Sequence, residues 1–75
     1  MSKNIVIQYE NQDEPALLPD VVSESTITIS EIPFREYVCK DETLINANLT
    51  KVTQIVEVSD DVMDELMEVM DSGAL

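Results

Sequence analysis

Residues 52–73 read VTQIVEVSDDVMDELMEVMDSG, and the periodicity of their apolar side chains changes at Ser59. Before it, Val52, Val56 and Val58 fall on one side and Ile55 on the other, the reading of a strand. After it, Val62, Met63, Leu66, Met67, Val69 and Met70 recur at spacings of one, three and four, the stripe of an amphipathic helix. Ser59 is a favoured N-cap, Asp60 and Asp61 stand where the positive end of the helix dipole attracts carboxylates, and Gly73 suits the stop. The expected helix therefore covers residues 60–72. Its apolar stripe is expected to supply much of the core.

Upstream, residues 4–10 carry Ile5, Ile7 and Tyr9 on one side and Val6 and Gln8 on the other, a first strand. Residues 11–20 hold Pro15, Pro19 and a polar run, which predicts a loop because proline cannot donate to a ladder. Residues 25–30 read STITIS, whose alternation and β-branched density predict a second strand. Residues 34–39 fit two spacings. Phe34 and Val38 can meet on a helix, or Phe34, Glu36 and Val38 can share a strand face, and Pro33 is compatible with either. Residues 41–48 read as a turn or one short helical turn opened by Asp41. The expectation is one α+β domain: a mostly antiparallel sheet of three or four strands with the C-terminal acidic amphipathic helix packed on one face.

Sixteen Asp and Glu against four Lys and Arg, with no His, leave a net charge of −12 on 75 residues. Leu, Ile, Val and Phe number 23 of 75, about 31%, above the ~20% below which so charged a chain stays unfolded. A chain this short buries only about 60% of its unfolded surface, so a large catalytic cleft is not expected. Direct binding to nucleic acid or to an anionic membrane is disfavoured, since both need basic side chains. No apolar run approaches ~18 residues, and nothing marks export, so the expected setting is the cytoplasm. Cys39 is the single cysteine, and without histidine it has neither a disulfide partner, nor a zinc set, nor a catalytic base. It reads as a small buried hydrophobe.

The far side of the predicted helix carries Asp60, Asp61, Asp64, Glu65, Glu68 and Asp71, six carboxylates in twelve residues with no lysine or arginine among them. Residues three or four apart on a helix are neighbours, so 60, 64, 68 and 71 form one ladder and 61, 65 and 68 a second. Each like-charged pair costs a few tenths of a kcal/mol, so helix stability alone does not select the pattern. Phosphates repeat every ~3.4 Å along each strand of a duplex, and a carboxylate ladder can stand in for them before a cationic groove. The plainer reading of such a face is solubility. Against it, acidity extends through Glu10, Asp13, Glu14, Asp20, Glu24, Glu31, Glu36, Asp41, Glu42 and Glu57.

Other uses of clustered carboxylates fit less well. A calcium loop of the EF-hand type needs an internal glycine, and Gly73 is the only one. Paired acid and base catalysis needs a walled cleft. The Met63, Met67 and Met70 stripe reads as core more readily than as an adaptable groove. Asn48-Leu49-Thr50 matches a glycosylation sequon, which has meaning only after secretion. Acyl carriers share the size and acidity, but their serine opens a central helix of a helical bundle, whereas Asp71-Ser72-Gly73 ends a β-rich chain.

In size, composition and acidic C-terminal helix the chain resembles the small acidic inhibitors of phages and mobile elements: anti-CRISPR proteins, uracil-glycosylase inhibitors and anti-restriction proteins. The resemblance carries no shared motif and transfers no functional residue. It implies a stoichiometric inhibitor, with the anti-CRISPR type foremost, that mimics nucleic-acid phosphates. The expected partner is a basic nucleic-acid-binding protein such as a CRISPR effector complex. Asp60, Asp61, Asp64, Glu65, Glu68 and Asp71, joined by Glu57, are the expected contacts. A monomer is expected, with no enzyme activity, metal or cofactor. The alternative is a virion or assembly adaptor that binds through a sheet edge or through Ala16-Leu17-Leu18 and Val21-Val22.

Overall fold

The structure, a computed structural model, describes residues 2–71. Five strands, β1 (Lys3–Tyr9), β2 (Ala16–Ile29), β3 (Ile32–Cys39), β4 (Leu44–Asn48) and β5 (Val52–Val58), precede one helix, α1 (Asp60–Asp71). The class is α+β, and the antiparallel sheet has five strands where three or four were expected. One stretch left open between strand and helix and one misread stretch account for the difference. Residues 34–39 lie in strand β3, and residues 41–48, expected as a turn, contain β4. Ala47 is fully buried there, but alanine and the flanking Asn46 and Asn48 have low strand propensity.

The second correction concerns β2, which begins at Ala16 and runs through Pro19, where a loop was expected. A bulge admits the proline. The register with β1 slips between Lys3↔Val21 and Ile5↔Leu18, and Asp20 takes the left-handed conformation at φ 54°. The slip also resets the side-chain phase, so Leu18 and Val21 both reach the core although they lie three residues apart. A similar slip in β5, opposite Gln8 and Tyr9, puts Val52 and Ile55 against the core and leaves Val56 largely exposed. Val52 thereby joins Ile55, where it was expected on the side of Val56 and Val58.

The strand order β4-β3-β2-β1-β5 places β4 and β5 at opposite edges, yet only three residues connect them. In a flat sheet, four strand spacings would hold them ~19 Å apart. A β-turn at residues 48–51, closed by Lys51 N–H donating to the Asn48 carbonyl at 3.0 Å, holds its ends within about 7 Å. The sheet must therefore roll. Its inside is the core, made of Ile5, Ile7, Leu18, Val21, Tyr37, Cys39 and Ala47, with Tyr9, Ala16, Ile45, Val52 and Ile55 at the margin. This cluster comes entirely from strands, which corrects the expectation that the helix supplies much of the core. From α1, Met63 is buried, while Val62, Glu65, Leu66, Val69 and Met70 with Pro15 line a hollow of about 250 Å³.

The β2–β3 hairpin turns on Ser30 and Glu31, both left-handed at φ 51° and 69°. That is the geometry of a type I′ turn, whose natural occupants are Asn and Gly, and a side chain beyond Cα costs ~1 kcal/mol there. Glu31→Gly should therefore raise the midpoint of thermal unfolding by about 4–8 °C. A lower midpoint in calorimetry would show that the turn is not under this strain.

Candidate functional site: the acidic helix and its anchor

The segment from Ser59 onward is set against the sheet by one buried amide. Asn4, 4% exposed, accepts the Asp20 backbone N–H at its Oδ1 (3.1 Å) and donates from Nδ2 to Asp60 Oδ1 (2.7 Å) and to the Val58 carbonyl (3.4 Å). It joins the β2 bulge, the end of β5 and the first turn of α1. Ser59 caps the helix as expected, its hydroxyl accepting the Val62 N–H at 3.4 Å and its carbonyl the Met63 N–H at 2.9 Å. The expected stop at Gly73 lies outside the described residues.

Of the seven expected contact residues, Asp60 is thus engaged with Asn4, although it remains exposed. Asp61, Asp64, Glu65 and Glu68 are exposed, and among the described residues no ion pair reaches any of them. Asp71 ends the helix, and its side chain lies outside what is described. Glu57 sits on β5 opposite Ile5 and beside Lys3. The hydrogen-bonded Glu24 carboxylate, with Glu57 near it, holds the Lys3 ammonium above its ordinary range. Glu57 therefore belongs to a mixed-charge group with Lys3, Glu24 and Arg35.

Three of the four cations are paired away from the helix: Lys3 and Arg35 (3.7 Å) with Glu24, and Lys51 with Glu10 at 3.6 Å. Burial pushes the Cys39 thiol up, which favours the neutral, unreactive form. Hydrogen bonds from Thr43 hold the Asp41 carboxyl low in the β3–β4 turn. Among the described residues no three Asp, Glu or Cys side chains form a metal-binding group, and no helix is long and apolar enough to cross a membrane. Of the apolar segment expected to serve an adaptor, Leu18 and Val21 belong to the core, Ala16 and Leu17 are half-buried and Val22 is 50% exposed.

The signal for Asn4 was absent from the sequence, because its partners are 16, 54 and 56 residues away. Comparison with family models, with curated proteins and with solved structures gives no match.

Proposed function

We propose that this chain is a stoichiometric inhibitor that acts by binding and performs no chemistry. Its acidic helix occupies the basic nucleic-acid groove of a defence complex in the cytoplasm of a host cell. A CRISPR effector is the first partner to test. The observation that carries this reading is the row of exposed carboxylates at Asp61, Asp64, Glu65 and Glu68, with no cation paired to them among the described residues.

The spacing suits the role. Twelve helical residues rise ~18 Å, so six carboxylates give about one charge per 3 Å of axis, close to the ~3.4 Å phosphate repeat of one strand. Like-charged neighbours at i,i+4 lower helix stability, a cost that a cationic groove offsets on binding. The amphipathic division of labour follows: Met63 holds the helix to the protein, and the acidic side is presented outward.

Capture from lysate on tagged protein, washed at low and at high salt, tests the reading. A basic nucleic-acid-binding protein that is retained at low salt and released at high salt supports it, because exposed charge attraction is screened beyond ~3 Å at 1 M salt. Retention of an assembly protein through high salt supports the adaptor alternative instead.

A further inference from the structure

The sheet has an unguarded stretch of edge that plays no part in the acidic surface. Pairing of β1 with β2 ends at Lys3↔Val21, whereas β2 continues to Ile29. Residues 23–29, SESTITI, therefore pair with β3 on one side and with no described strand on the other. Every second residue along this stretch points its N–H and C=O away from β3, in a row about 24 Å long.

Natural edges are blunted by shortness, bulges, proline or exposed charge. Strand β4 is five residues long and carries Asn46 and Asn48. Strand β5 is interrupted by its register slip and carries Glu57. The β2 stretch has no proline and no lysine, and its register with β3 is unbroken from Ser23 to Ile29. Its one charge, Glu24, is neutralised by Lys3 and Arg35. One face is apolar as well: Ile27 lies opposite Phe34 and Ile29 opposite Ile32, with Ile29 48% and Ile32 39% exposed.

We infer that this edge pairs with the same edge of a second copy, antiparallel about a two-fold axis, to continue the sheet across a dimer. The occupant follows from charge and symmetry. A basic partner is drawn to the acidic surface, while a stretch of Ser, Thr and Ile with a compensated carboxylate complements another neutral strand. A two-fold axis normal to the sheet makes each pair of opposed residues sum to one constant. Opposed residues must also share a face, so that constant is even. Ile27 and Ile29 of both copies then fall on the same side, merging with Ile32 and Phe34 into one apolar strip. A monomer was expected, and charge does oppose this contact, since each copy carries −12. The dimer must therefore strengthen with salt, opposite in sign to the proposed capture of a basic partner, so either idea can fail without the other.

The experiment is sedimentation equilibrium of the full chain from micromolar to millimolar concentration, at low and at high salt. The mass should rise from 8.4 kDa toward twice that value, at lower concentration when salt is high. Ile27→Lys should remain at the monomer mass with an unchanged circular dichroism spectrum. Lysine lowers the net negative charge, so a loss of dimer in this variant cannot come from bulk repulsion. If Ile27→Lys fails to fold, Ile29→Lys, nearer the exposed tip, takes its place with the same expectation. A mass of 8.4 kDa throughout, or a dimer that persists in a folded lysine variant, overturns the inference.

Discussion

Replacing Asp64 and Glu68 together by lysine will weaken binding to the basic partner about a hundredfold while leaving the helix at least as stable as before. The two reversals take the net charge from −12 to −8, break the centre of the first carboxylate ladder and remove the last member of the second. Electrostatic steering multiplies association rates by about 10–10³, and a lysine facing a cationic groove converts attraction into repulsion. Helix stability moves the other way. Lysine at position 64 follows Asp60 by four residues, the favourable order for an ion pair, and lysine at 68 lies nearer the negative end of the dipole. Both side chains are exposed, so no packing is lost. Binding and thermal unfolding measured on one sample thus separate a lost contact from a lost fold. A folded double variant that binds as tightly as the parent would remove the helix from the interface.

Asn4→Ala has the largest expected effect on stability, a loss of about 2–3 kcal/mol. The substitution removes the acceptor of the Asp20 N–H at a left-handed bulge and leaves that donor without its partner. It also removes the bond to the Asp60 carboxylate, of the stronger charge-assisted kind. In a domain of this size the loss corresponds to a fall of roughly 10–20 °C in unfolding midpoint. Calorimetry of Asn4→Ala beside Asp60→Asn distinguishes the parts. The second variant keeps the shape of the side chain and should lose less, because Asn4 still satisfies the bulge. A shift below about 3 °C for Asn4→Ala would mean that the bulge and helix are held by packing alone.

The parts of the fold legible in sequence were those whose pattern is local. Ile5 and Ile7, the STITIS alternation and the Ser59 cap each state their element within a few residues. What escaped was set by pairing at a distance. Pro19 reads as a breaker until the bulge at Asp20 is known, and that bulge is held by Asn4 from another strand. Ala47 carries no strand signal, yet it is fully buried because the β4–β5 turn rolls the sheet closed over it. Val52 fell on the side of Ile55 because one register slip separates it from the rest of the strand.

The same division applies to the candidate site. The carboxylate ladder is a periodicity on one helix, and Asp61, Asp64, Glu65 and Glu68 are exposed, as are Val62 and Met67 of the expected apolar stripe. The engagement of Asp60 by Asn4, and the proximity of Glu57 to Lys3, depend on β1 lying beside β5, which no local spacing announces. In the apolar segment at residues 16–22, only Val22 is left fully open, for a related reason. Apolar residues next to prolines look like an exposed patch, but the bulge turns Leu18 and Val21 into the core.

The most direct test of phosphate mimicry is competition on the captured partner. Duplex DNA is titrated into the preformed complex while the bound fraction of this chain is followed by fluorescence anisotropy. Mimicry predicts that DNA displaces the chain competitively, with an apparent affinity set by the partner's own affinity for DNA at the same salt concentration. A stable ternary complex of partner, DNA and chain would contradict it.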